Sequence, residues 1–261
     1  MPRADMLTVL RKLGLTTNLK LCLDAGHETS LPAASTKWID LSGNSPNNFA
    51  LGDSTGAEGK DPTINGTAGR RSSSEYLSFD GGDNLEYEGT NPTWMENVHK
   101  NNAKFSIMAW VYLTSIDTTQ CIIANNGIGS NVVGFTFHVS TASVMRMYVS
   151  KEAAPNVLAV LATANPVINA WNFLSVSVDE AAGSNGSFFF TNGTVDLFDA
   201  TYASPTTGSG GLQLDIGSSG NSTFYLASGS RLASVVMHEG EALSSDKIRA
   251  YYQATRGKFG V

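Results

Sequence analysis

Between Ala103 and Leu113 the sequence AKFSIMAWVYL alternates with a period of two. Phe105, Ile107, Ala109, Val111 and Leu113 fall on one face, and Ser106, Met108, Trp110 and Tyr112 on the other. Both faces are largely apolar and the stretch carries almost no charge, which predicts a central strand rather than an edge. The Phe–Ile–Val face belongs in a core. The Met–Trp–Tyr face either sits under a covering loop or forms part of a binding surface.

Shorter alternating runs surround this strand. They are Leu19 to Asp24, Trp38 to Leu41, Phe49 to Leu51, Tyr76 to Asp80, Leu85 to Tyr87, Gln120 to Ala124, Val133 to Ser140, Val144 to Ser150 and Val157 to Thr163. Further along come Trp171 to Asp179, Ser187 to Thr191, Thr194 to Phe198, Leu212 to Gly217, Phe224 to Ala227 and Leu232 to His238. Asn192-Gly193, between two β-rich runs, predicts a tight hairpin because both residues tolerate positive φ. Residues 52–74 hold few large apolar side chains and read as a long surface loop. Pro92 to Lys100 accommodates one helical turn.

Two segments switch to helical spacing. Asp5 to Leu15 places Met6, Leu7, Val9, Leu10 and Leu13 on a helical pattern, with Asp5 as N-cap and Gly14 as stop. Ser244 to Thr255 is capped by Ser244, carries Asp246 in its first turn and buries Ile248, Tyr251 and Tyr252, with Gly257 beyond its end. There is no strand–helix–strand alternation and no repeat. An all-β, two-sheet antiparallel sandwich follows, with a short N-terminal and a C-terminal helix. The expected division is a helical arm over 1–18, held either by the body of the domain or by a neighbouring subunit, and a sandwich domain over 19–261.

Composition sharpens this reading. The 261 residues suffice for a core without covalent staples. Charged residues are 15% of the chain, against roughly 25% in an average domain, and Gly, Ser, Thr and Asn take their place. A net charge of −6 without a basic stripe argues against nucleic acid and against an anionic membrane surface. No apolar run approaches the length needed to span a bilayer. The first fifteen residues lack a signal-peptide pattern, since Arg11 and Lys12 interrupt the apolar stretch. Cys22 and Cys121, the two cysteines, fall inside predicted strands and read either as buried free thiols or as a single bridge between neighbouring strands.

Several pieces, in order, resemble the concanavalin A-like, laminin-G-like jelly rolls. They are Trp38-Ile39-Asp40-Leu41-Ser42-Gly43-Asn44, Leu77-Ser78-Phe79-Asp80-Gly81, Phe105 to Val111, Trp171-Asn172-Phe173, Thr191-Asn192-Gly193, Leu214-Asp215-Ile216-Gly217, and Ala242-Leu243-Ser244 with Ile248 and Tyr251-Tyr252. The resemblance covers about four fifths of the chain, from Trp38 to Tyr252. It implies a jelly roll and leaves function open, because the fold hosts lectins, adhesion modules, hydrolases and structural domains. A lone domain of this kind without a signal peptide also resembles those in tailed-bacteriophage virion proteins.

Candidate chemistry is sparse. Hydrolases resembling this fold carry Glu-x-Asp-x-x-Glu, which is absent; Glu86/Glu88 and Glu239/Glu241 read as solvated carboxylates beside turns, so no catalytic residue is assigned. Asp80-Gly81-Gly82-Asp83-Asn84 is either a plain Asp/Gly turn or a calcium loop. Glycines let carbonyls turn inward to a hard cation, and related laminin-G-like domains often bind calcium. Asp40 and Asp215 would join such a site only if the fold brought them near. His27, His99, His138 and His238 show no metal-ligand spacing. Trp110 and Tyr112, with Met108, are the candidate stacking platform for a sugar ring, against core packing or burial under a loop. The Asn-x-Ser/Thr triplets at Asn65, Asn185, Asn192 and Asn221 read as turns.

The expected function is a non-enzymatic structural protein of a phage virion, a capsid decoration or accessory head or tail component. Met6, Leu7, Leu10 and Leu13 of the N-terminal arm, together with one rim of the sandwich, would dock it to other virion proteins, and the chain would be a homo-oligomer. The alternative is a lectin-like module at a cell surface, recognising a glycan with or without calcium. Neither reading involves nucleic acid or membrane insertion.

Overall fold

The structure is a computed structural model that describes residues 5–44, 47–65, 75–127, 132–151, 154–203, 211–220 and 223–261. The elements run α1 (Met6–Lys12), β1 (Leu19–Asp24), β2 (Lys37–Trp38), β3 (Phe49–Leu51), β4 (Thr63–Asn65), β5 (Tyr76–Ser78), β6 (Leu85–Tyr87), α2 (Thr93–Glu96) and β7 (Lys104–Leu113). They continue with β8 (Gln120–Ala124), β9 (Gly134–Val139), β10 (Met145–Lys151), β11 (Ala154–Leu161), β12 (Ala170–Asp179), β13 (Ser187–Thr191), β14 (Thr194–Phe198), β15 (Asp215–Ile216), β16 (Arg231–Glu239) and α3 (Ser245–Thr255).

The strands form two antiparallel sheets. The first has the order β14-β13-β12-β7-β16-β5-β4, and β1 also pairs with β16. β16 is shared along its length: Arg231 and Leu232 pair with β5, whereas Ser234 to His238 pair with β1. The second sheet has the order β11-β10-β9-β8-β15-β6-β3-β2. The expected sandwich is therefore present, and β7 lies in the middle of its sheet, between β12 and β16.

The period-two reading of β7 decides which face goes where. Phe105, Ile107, Ala109 and Val111 enter the core between the sheets, where they meet Phe135 and Phe137 of β9 and Met147 and Val149 of β10. Full burial of each large apolar side chain contributes about 1.5–3 kcal/mol, so this layer is the main source of stability. The opposite face is also buried. Met108, Trp110, Phe173, Phe190 and Val236 form a second core with Met6 and Leu10 of α1, Ile248, Tyr251 and Tyr252 of α3, and Phe259. The helices are thus a third layer on the outer side of the first sheet.

Local chemistry fixes that layer. Asp5 caps α1 by accepting the Thr8 N–H at 2.7 Å, and the Met6 N–H donates to buried Asp24 at 2.8 Å. Two buried serines hold the entry to α3. Ser106 accepts the Leu243 N–H at 2.8 Å, while the Ser177 hydroxyl donates to the Leu243 carbonyl at 2.8 Å. The two hydroxyls are 3.0 Å apart across β7 and β12. The Trp110 indole N–H donates to Thr255 Oγ1 at 3.0 Å, which ties the sheet to the last turn of α3.

Two expectations change. Residues 52–74 are not all loop, because Thr63–Asn65 pairs with β5 as an edge strand; 66–74 lie outside the described residues, as does Asn221. Phe224 to Ala227 is not a strand. Phe224 has φ of 56°, which breaks the extended path, and the segment makes single hydrogen bonds instead, one of them from the Cys121 N–H to the Phe224 carbonyl at 2.9 Å. The N-terminal helix, which the sequence leaves to be held by the body of the domain or by a neighbouring subunit, packs on α3 and β1. The Asn192-Gly193 hairpin forms as expected, with φ of 50° and 107°.

Candidate functional site

Met108 and Trp110 are fully buried. Phe259 stacks on the Trp110 ring at 4.3 Å, Tyr252 lies at 5.9 Å and Phe173 at 5.3 Å. These two residues are packing residues and cannot serve as a sugar platform. Met6, Leu7 and Leu10 are buried in the same cluster, and only Leu13, 36% exposed, faces outward. The apolar face expected to dock on a partner is therefore occupied by the chain's own α3 and first sheet.

Tyr112 differs from its neighbours on the strand. It lies at the end of β7 beyond the helical cover and is half-buried. In register it faces Trp171 of β12 on one side and Arg231 of β16 on the other. A bulge between Leu232 and Ser234 returns Arg231 to the outer face beside Tyr112. Arg231 also pairs with Ser78 of β5, which puts Tyr76 on the same face one diagonal step away. The four side chains are all half-buried.

Their contacts are mutual. The Arg231 guanidinium carbon lies 4.6 Å from the Tyr112 ring centroid and 4.7 Å from that of Tyr76. Trp171 meets each tyrosine edge-on at 5.8 Å, and the buried edge of the cluster is Phe259, 4.8 Å from Trp171. Among the described residues the Arg231, Tyr76, Tyr112 and Trp171 side chains have no hydrogen-bond or ion-pair partner. Aromatic surface and unspent donors thus meet on a rigid sheet. Sequence reading found Tyr112 and missed Trp171, Tyr76 and Arg231. The available signal was that Trp171 sits in the outer phase of β12, out of step with Leu174, Val176 and Val178.

The outer face of the second sheet is polar. Lys37, Ala50, Glu86, Asp215, Ala124, Thr136, Tyr148 and Ala159 stand opposite one another from strand to strand. Glu86 is a half-buried strand residue rather than a solvated turn carboxylate, and its cross-strand neighbour is Asp215. Burial pushes the Asp215 carboxyl up to about 8, with the Glu86 and Asp53 charges adding to it. The Ser218 hydroxyl donates to it at 3.1 Å. A groove of about 390 Å³ beside them is lined by Glu86, Asp53, Tyr87 and Gln213 but not by Asp215. A glycosidase pair needs both carboxylates to reach the scissile bond, and here buried Asp215 does not line the groove. Glu88 is spent on Lys37 at 2.7 Å, Glu239 on Lys20 at 3.8 Å and Glu241 on Lys247 at 2.6 Å.

Asp80 and Asp83 serve their own turn. Asp83 accepts the Asp80 N–H at 2.7 Å and Asp80 accepts the Gly82 N–H at 2.8 Å. Burial raises Asp83 to about 6. Asp40 accepts the N–H groups of Cys22 and Ser42, at 2.7 and 2.9 Å, and Asp215 faces Glu86. Among the described residues no three His, Cys, Asp or Glu side chains converge as a metal site. His99, His138 and His238 are buried singly, and His138, beside Arg146, is pushed down to about 3 chiefly by burial. Cys22 and Cys121 are buried free thiols.

A family model described as the concanavalin A-like lectin/glucanases superfamily, Laminin_G_3, matches residues 88–249. The chain belongs to this superfamily. The match includes Tyr112, Trp171 and Arg231, and leaves Tyr76 outside. No curated protein sequence matches the chain. Among solved structures, Trypanosoma rangeli sialidase is similar with a TM-score of 0.55 at 12% identity, over 95% of this chain and 38% of that one. The binding domain of botulinum neurotoxin DC in complex with SialylT is similar with a TM-score of 0.59 at 10% identity, over 92% of this chain and 52% of that one. The same domain in complex with rat synaptotagmin II gives 0.57 at 11% identity, over the same shares. This concanavalin A-like chain spans about half the length of these structures or less, and the likeness at such identity establishes the fold alone.

Proposed function

We propose that the chain is a non-enzymatic, carbohydrate-binding module that holds a sugar on the Tyr76, Tyr112 and Trp171 surface. The observation that carries this reading is a half-exposed aromatic cluster, fixed on a sheet face, whose polar groups have no partner among the described residues. Sugars present alternating apolar faces and hydroxyls, and amphipathic aromatics offer a flat apolar surface with a polar rim. A botulinum neurotoxin binding domain of similar fold is seen with SialylT, which supports glycan binding on this architecture without locating it here.

Phage virion attachment is expected to use the N-terminal helix and one rim of the sandwich. With that helix packed against the body, the virion reading rests on the rim alone.

A glycan array probed with the intact chain tests the proposal, with a Tyr112→Ala/Trp171→Ala variant as control and both run with and without chelator. Binding of at least one glycan by the wild type, lost in the variant and indifferent to chelator, is the expected result. An array without signal above background, or one on which the variant binds as the wild type does, overturns it.

A further inference from the structure

We infer that Arg231 sets the specificity of this surface and that its ligand is a carboxylate-bearing sugar. The inference rests on the glycan-binding reading above and names the ligand class for that site.

The chain holds 23 Asp and Glu against 17 Lys and Arg, so acidic partners are in excess. The ion pairs among the described residues nevertheless all use lysines, among them Lys37–Glu88 at 2.7 Å, Lys104–Asp179 at 2.8 Å and Lys247–Glu241 at 2.6 Å. Among the described residues Arg231 has no carboxylate partner and no side-chain hydrogen bond. Its register neighbours are Tyr112 and Ser78, neither of which is charged.

What holds Arg231 is the pair of rings at 4.6 and 4.7 Å. A guanidinium over aromatic faces keeps its position through cation–π attraction while its N–H fork stays available, and that planar fork matches a carboxylate bidentately. The side chain is half-buried, so part of its ordering cost has been met before a ligand arrives. Trp171, edge-on to both tyrosines, gives the ring of the same sugar a flat apolar neighbour. Sialic acids and hexuronic acids both join a carboxylate to a ring with an apolar face, and the geometry is common to both.

The test is calorimetric titration of the intact chain with 3′-sialyllactose, trigalacturonate and lactose. The expected result is that one of the two acidic probes binds about tenfold or more tightly than lactose, as a charge-assisted bidentate contact implies. Arg231→Gln should bring that ratio to about one, and Arg231→Lys, which keeps the charge but not the fork, should fall between. Tightening that tracks sialyllactose assigns a sialic acid, and tightening that tracks trigalacturonate assigns a uronate. Thermal melts of both variants establish that they fold.

Equal binding of acidic and neutral sugars, lost in Trp171→Ala, overturns this inference and leaves the glycan-binding reading intact. Retention of the full acidic preference in folded Arg231→Gln does the same. Failure of all three sugars, together with a silent array, removes both.

Discussion

Replacing Trp110 with alanine separates a packing role from a binding role. The indole is fully buried, touches Phe173, Tyr252 and Phe259, and donates to Thr255. Truncating a buried Trp costs about 3–5 kcal/mol once the cavity is included. The lost hydrogen bond belongs to the same figure, and it leaves no orphan, because Thr255 Oγ1 still donates to the Tyr251 carbonyl at 2.8 Å. For a chain of this size each kcal/mol shifts Tm by roughly 2–4 °C, so Trp110→Ala should melt about 10 °C below the wild type. Trp171→Ala, at a half-buried rim position, should cost about 1–2 kcal/mol and remove sugar binding instead. Urea unfolding at fixed pH, with calorimetry as a second probe, gives both numbers. A Trp110→Ala loss below about 1 kcal/mol, or a larger loss for Trp171→Ala, would refute this account of the third layer.

Two further outcomes follow from the same structure. Leu10→Ala should cost about 2–4 kcal/mol of stability in urea unfolding, because Leu10 is fully buried against the body; a change under about 0.5 kcal/mol, as for an exposed surface site, would refute this packing of α1. Asp215, ordinarily near 3.8 and pushed up to about 8, keeps its proton in the folded chain after the unfolded chain has released it. Stability from this group is complete below about pH 4 and is lost as pH rises through about 8, by at most roughly 1.4 kcal/mol per unit. Asp215→Asn should therefore flatten the stability–pH profile over that window and melt higher than the wild type at pH 8, with parallel profiles as the contrary result.

Local signals in this chain translated directly into structure where one stretch contained all the information. The alternation of β7, the positive-φ pair Asn192-Gly193, and the Asp5 and Ser244 caps each depend on residues within a few positions of one another. Phe224 shows the limit. Its run has strand composition, yet a single positive φ removes it from the sheet, and nothing in its neighbours announces that. The candidate site lay further out of reach. Tyr112, Trp171, Arg231 and Tyr76 share a face only because β12, β7, β16 and β5 pair in one register, with a bulge near Leu232. The Glu86–Asp215 opposition has the same origin.

By itself the sequence determined the sandwich, the central place of the Trp110 strand and the two helices, because hydrophobic period and capping are properties of short segments. The tertiary structure alone decided that the helices cover Trp110 and Met108 while Tyr112 stays at the surface. Which side of a doubly apolar strand meets solvent depends on what packs there, and here that cover comes from the two ends of the chain, far from β7 in sequence.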